Sequence, residues 1–260
     1  MRISANGEVI ANDWKWLYDR CGYESVCPAD IRHALEQIPE GEPLELEINS
    51  PGGDVFAGFE IYNLLRAAKC ETVAEVQSLA GSAASTMMVA CQTVKVSPVA
   101  QVMIHLPSTW TAGNQIDHQQ ATQMLESITE SILNGYEAKV NGKTSRDELR
   151  KLMENETWLT ASRAVDLGLA DEVLYEEQLG AMPASFRNSV GATIRNAAGG
   201  HDPTQLLALY EDEVRSGKRP AVEGHPVANL ANSDPTGEEP DKHNEDSHWS
   251  DDARALLAVI

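Results

Sequence analysis

The chain has 260 residues, a hydrophobic fraction of 42% and a formal net charge of −20 at pH 7. That length holds one large domain or one domain with appendages, and the hydrophobic fraction suffices for a core. The acidic balance repels nucleic acid and anionic membranes, which excludes both as expected partners.

The four cysteines, Cys21, Cys27, Cys70 and Cys91, form no CxxC pair. No histidine stands at zinc-finger spacing from them, so a structural metal is not expected. Cys70 and Cys91 lie in apolar surroundings and read as small core residues. The opening MRISANGEVIANDW has no basic, apolar leader, and no uninterrupted apolar run reaches the length of a membrane span. These features point to a cytoplasmic protein.

In chain order, ISANGEVIA reads as a hairpin around Asn6-Gly7. Pro28 and Asp30 open a helix through IRHALEQI. LELEINS is a strand with Leu44, Leu46 and Ile48 on one face. The turn SPGGDV leads to a helix, FAGFEIYNLLRAA, with Phe59, Ile61, Tyr62, Leu64 and Leu65 mostly inward. ETVAEVQS is the next strand and SAASTMMVACQ the next helix. VKVSPVAQVMIH gives two short strands split at Pro98. A long helix runs from about Ile116 to Val140, where Met124, Ile128, Ile132, Tyr136 and Val140 form one apolar stripe. Ser145 and Glu148 form a capping box before a short helix. ETWLTASRAVDLGLADEVL supplies a strand, a helix over 161–167 ended by Gly168, and a last strand. Alternation of this kind means an α/β fold with a mainly parallel sheet.

Composition shifts near residue 185. Residues 1–180 form the expected domain, and 186–260 form an acidic tail, poor in aliphatics and largely disordered. Within that tail, TQLLALYEDEVRS and DDARALLAVI have helical character but are too short to be stable without a partner.

Three places can carry chemistry. Gly52 and Gly53, between a strand and a helix, leave backbone N–H groups bare, which suits an anion or an oxyanion. Two serines, Ser82 and Ser85, sit at the next strand-to-helix junction, where either is a helix cap or a nucleophile. His105 is delivered by an apolar strand to the rim where ligands of α/β sheets gather. His33 and His118 belong to polar helix faces.

The motifs INSPGG (48–53), GSAAS (81–85), MIH (103–105) and the segment beginning ETWLTA at Glu156 follow one another at fixed order and compatible spacing. Together they resemble the ClpP family of serine peptidases, and within it the head maturation proteases of tailed phages and prophages. The similarity spans roughly residues 44–175, about half the chain. It implies a crotonase-like spiral of repeated ββα units, assembly into homo-oligomeric rings, protein substrates and no cofactor. It makes Ser85 the nucleophile and His105 its general base. Glu156, where the family usually has Asp, becomes the acid, with Glu154 as an alternative. The N–H groups of Gly53 and Thr86 become the oxyanion hole. The long helix corresponds to the family's handle, and TWTAGNQI to the strand that lines the substrate groove.

The N-terminal segment, with Trp14, Trp16, Cys21 and Cys27, does not resemble the axial loops that dock an ATP-driven unfoldase. That departure points to an ATP-independent endopeptidase acting on capsid or scaffold proteins. The alternatives are a housekeeping ClpP-type peptidase, a catalytically inactive ring-forming assembly protein, and a crotonase-type acyl-CoA enzyme.

Overall fold

A computed structural model describes residues 1–175, 203–216 and 218. The elements in chain order are β1 (Arg2–Val9), α1 (Lys15–Cys21), β2 (Ser25–Val26), α2 (Pro28–Gln37), β3 (Leu44–Gly53) and α3 (Val55–Arg66). They continue with β4 (Thr72–Gly81), α4 (Ala83–Ala90), β5 (Thr93–Val96), β6 (Gln101–Ile104), α5 (Gln115–Val140) and α6 (Arg146–Glu154). The last are β7 (Thr157–Thr160), α7 (Ala161–Leu167), β8 (Glu172–Val173) and α8 (Pro203–Arg215).

The strands form one sheet in the order β2-β1-β3-β4-β5-β8, with β6 paired to β4 and β7 to β6. Every pairing is parallel except β6 with β7. This is the expected α/β fold with a parallel-dominated sheet. Strand β4 is shared: Val73–Val76 pair with β5, and Leu79–Gly81 pair with β6. The ladder therefore divides at the end of β4, and the chemistry-bearing turns converge there.

The expected hairpin at Asn6-Gly7 does not form. Residues 2–9 are one strand parallel to β3, and the register shifts between Asn6 and Glu8. Gly7 sits in that bulge with φ 72, and a Cβ there would stand 1.9 Å from the Glu24 carbonyl oxygen. An Asn-Gly pair signals positive φ, and a bulge satisfies that as well as a hairpin turn does.

The helices start and stop where their caps dictate. In α2 the Cys27 N–H donates to Asp30 Oδ2 at 2.9 Å, with Pro28 in the first turn. In α5 the Asn114 side chain accepts from the Ile116 N–H at 2.7 Å, and Asp117 Oδ2 accepts the Asn114 N–H at 2.7 Å. Ser145 Oγ accepts the Glu148 N–H at 3.2 Å to open α6. Gly168, with φ 83, ends α7. The α5 stripe packs as its period requires: Ile128, Ile132, Tyr136 and Val140 are buried and Met124 is partly so. Arg146 bonds Glu130 and Glu137, and Arg150 bonds Glu126 and Glu130, which ties α6 along α5. In α3, Ile61 and Leu65 are buried, whereas Phe59, Tyr62 and Leu64 pack at the core's margin.

Cys91 is buried as expected, and burial pushes its thiol up to about 12. Cys70 is only partly buried against the core. Among the described residues no helix is long and apolar enough to cross a membrane.

Most of residues 186–260 lies outside the described residues, including the expected helix in DDARALLAVI. The segment expected to need a partner helix finds one in this chain. Leu206, Tyr210 and Val214 of α8 pack on Ile10, Leu17, Tyr18 and Cys27 as a second, smaller core. Trp16 meets Tyr210 edge-on, with ring centroids 5.6 Å apart.

Candidate active site

Strand β4 ends at Gly81 and α4 begins at Ala83, so Ser82 alone forms the junction. Its φ of 51 and ψ of −123 are unfavourable for a residue with a side chain. Such a strained strand-to-helix elbow projects a side chain clear of both elements. Small neighbours permit it: a Cβ on Gly81 would stand 2.8 Å from Pro51 O, and one on Gly52 would stand 2.6 Å from Ser82 Cβ.

His105 Nε2 lies 2.7 Å from Ser82 Oγ. Strand pairing explains the meeting. Gly81 is in register with Met103, and the Ser82 N–H donates to Met103 O at 2.9 Å, so Ser82 and His105 leave adjacent strand ends together. Glu156 arrives by the antiparallel pair. Ile104 stands opposite Thr157, so continuing that register sets His105 opposite Glu156. The Met153 carbonyl accepts from Leu106 N–H at 3.2 Å and Glu156 N–H at 3.1 Å, which anchors both segments at one point. Glu156 has φ 44, a second strained residue at this rim.

Burial pushes the His105 imidazole below its ordinary value of 6.5, and the Glu156 carboxylate acts in the opposite direction. Glu156, not Glu154, is the carboxylate whose charge acts on His105.

The expected pairing of Ser85 with His105 is absent. Ser85 is fully buried. Its hydroxyl donates to the Ser82 carbonyl at 2.6 Å and lies 2.7 Å from the Tyr136 hydroxyl. A helix beginning at Ala83 turns Ser85 toward α5 and the core, so its proton goes to a backbone carbonyl and not to the imidazole. The serine beside His105 is Ser82.

The Thr86 N–H points back along the helix to Ser82 O at 3.4 Å, so it is already engaged. Ala83 is the first residue of α4, where an N–H has no intrahelical partner, and it lines the cleft with Ser82. Gly53, the other expected donor, is at the end of β3. It lines the same cleft as Ser82, Ala83 and His105, while the neighbouring Asp54 N–H donates to Val9 O at 2.8 Å. A side chain at Gly53 is excluded, because its Cβ would meet Val9 O at 2.2 Å and its φ is 144.

A cleft of about 130 Å³ opens beside Ser82 and His105. Its apolar wall comes from Val55, Met124, Ile128, Ile132 and Tyr136. Residues 105–114, which contain TWTAGN, leave the site without regular structure, and Trp110 is exposed. His33 and His118 are exposed on helix faces as expected. Among the described residues no group of three or more His, Cys, Asp or Glu side chains could hold a metal ion.

The arrangement comprises a hydroxyl on an imidazole, a carboxylate whose charge acts on that imidazole, the free N–H at the start of α4, and Gly53 lining the same cleft. It can polarise and attack a carbonyl. Sequence reasoning weighed Ser82 only beside Ser85 and missed Ala83. The strand end at Gly81 was the available signal, since only the junction residue escapes both the sheet and the helix.

Residues 29–177 match the model of the Clp protease family. The chain is 30% identical over 145 residues to the ATP-dependent Clp protease proteolytic subunit 1 of Chlamydia abortus, covering 54% of this chain and 74% of that protein. It is likewise 30% identical over 145 residues to the ATP-dependent Clp protease proteolytic subunit of Bacteroides fragilis, covering 55% and 69%. The corresponding subunit of Porphyromonas gingivalis is 27% identical, covering 54% of this chain and 63% of its own length. The chain therefore belongs to the Clp protease family and is a serine peptidase.

Proposed function

We propose that the chain is a ClpP-type serine endopeptidase in which Ser82 is the nucleophile, His105 the general base and Glu156 the orienting acid. The Gly53 and Ala83 N–H groups form the oxyanion hole. The observation that carries this reading is the 2.7 Å contact between His105 Nε2 and Ser82 Oγ.

His105 takes the Ser82 proton as Oγ bonds to the scissile carbonyl carbon, and the carbonyl oxygen becomes an anion held by the two N–H groups. The imidazolium then gives that proton to the departing amine, leaving an acyl-enzyme. Water, deprotonated by His105, releases the acid product and restores Ser82. The positive end of α4 adds to stabilisation of the oxyanion. The apolar wall of the cleft favours an apolar side chain on the residue contributing the scissile carbonyl.

Protein chains are the proposed substrates and a homo-oligomeric ring the proposed assembly. The relatives are named as proteolytic subunits of an ATP-dependent protease, which supports the same division of labour here. A second reading, an ATP-independent head maturation protease for capsid or scaffold proteins, is favoured by the outward face of the sheet. Arg2 pairs there with Glu45, Glu47 and Glu75, and Lys95 with Glu172. Such a charged face favours polar over apolar contacts with a docking partner.

The test is hydrolysis of peptides by the purified protein, followed by digestion of folded and unfolded proteins without ATP. Peptide cleavage abolished by Ser82→Ala supports the peptidase reading; cleavage that survives the change overturns it. Limited cutting of a folded capsid precursor without ATP favours the second reading, and dependence on an added unfoldase favours the first.

A further inference from the structure

Helix α4 is buried along its whole length, and Ser85 in it is fully buried where an alanine would occupy the same space. Burying a hydroxyl is unfavourable unless it is bonded, so its partners define what it does. The Ser85 hydroxyl donates to the Ser82 carbonyl at 2.6 Å. That donation uses its only proton, so the Tyr136 hydroxyl, 2.7 Å away, donates to Ser85 Oγ. Tyr136 belongs to α5 and also lines the cleft.

The Ser82 carbonyl already accepts the Ser85 N–H at 2.9 Å and the Thr86 N–H at 3.4 Å. The hydroxyl is thus a third donor on one oxygen, more than helix capping requires. The Ser82 carbonyl and the Ala83 N–H share one planar trans peptide, so they point in opposite directions. Whatever fixes the carbonyl on the core side fixes the Ala83 N–H on the cleft side. Any rotation about the strained ψ of Ser82 would swing both together.

We propose that Ser85 and Tyr136 are positioning residues that lock the 82–83 peptide plane and so preorganise the Ala83 N–H of the oxyanion hole. This rests on the reading of Ser82 as nucleophile. The relay also couples the hole to α5: a side chain entering the cleft against Tyr136 presses on the group that holds the hole in place. Neither residue touches substrate at the reacting atoms.

The test compares Ser85→Ala, Tyr136→Phe and the double variant in the full-length assembled protein, using a peptide substrate and a peptide boronate that forms a tetrahedral adduct. Each single change lowers kcat about five- to tenfold, leaves KM within about twofold and weakens the boronate in parallel with kcat/KM. The double variant is no worse than Ser85→Ala, because Tyr136 acts through Ser85. Should Ser85→Ala fail to assemble, Tyr136→Phe carries the test, since it removes one oxygen and keeps the ring's packing. Unchanged kcat and boronate affinity, or losses confined to KM, overturn the proposal. Failure of the underlying reading shows separately: the boronate adduct of the unaltered protein would then lie elsewhere than on Ser82.

Discussion

His105 Nε2 stands 2.7 Å from Ser82 Oγ, whereas Ser85 is turned into the core. The two serines share a motif and differ in surroundings because the helix begins between them. Ser82→Ala is expected to lower kcat by a factor on the order of 10⁶, to background. Ser85→Ala is expected to retain most of that factor. Active-site titration against peptide turnover separates the two.

The acid limb of the pH profile follows from His105. Its burial lowers the pKa below 6.5, so kcat/KM falls only as pH drops below that ordinary value. The Glu156 carboxylate raises the same pKa. Glu156→Gln therefore moves the limb to still lower pH while reducing the plateau. A limb that moves upward in this variant would contradict the assigned pairing.

The motif order, the α/β class and the elements from α2 to β8 were legible because each has a local cause: glycine turns, caps at Asn114 and Ser145, and the stripe on α5. The choice between Ser82 and Ser85 was not local. It depends on where α4 starts, and a one-residue difference in helix start decides which serine meets the imidazole. Asn6-Gly7 shows the same limit, because positive φ at a glycine is compatible with a bulge or a hairpin and only the parallel partner strand decides. The satellite core under α8 was invisible for a different reason: the helix carries apolar residues, but nothing in its sequence says that α1 receives them.

Gly52→Ala places a Cβ 2.6 Å from Ser82 Cβ and 2.9 Å from the Ala83 nitrogen, at φ 105. A destabilisation of about 1–3 kcal/mol is expected from the strain. Activity is expected to fall further than stability, since the new methyl crowds both nucleophile and donor. Thermal unfolding alongside peptide turnover checks the pair of outcomes.

Ile128 is buried and also walls the cleft. Ile128→Ala is expected to cost about 2–3 kcal/mol and to enlarge the cleft. In a peptide series, kcat/KM should shift toward larger apolar residues at the position contributing the scissile carbonyl. Unaltered preference would mean that this side chain binds elsewhere.

Tyr210 is fully packed between α8 and α1. Tyr210→Ala is expected to weaken docking of α8 by about 3 kcal/mol. Hydrogen exchange should rise in α1 while the active serine keeps its reactivity.

The most direct measurement is reaction of the assembled protein with a fluorophosphonate, with the modified residue located by peptide mass spectrometry. The expected result is a single adduct on Ser82, lost in His105→Ala. An adduct on Ser85, or labelling that persists without His105, would contradict the assignment of the nucleophile and its base.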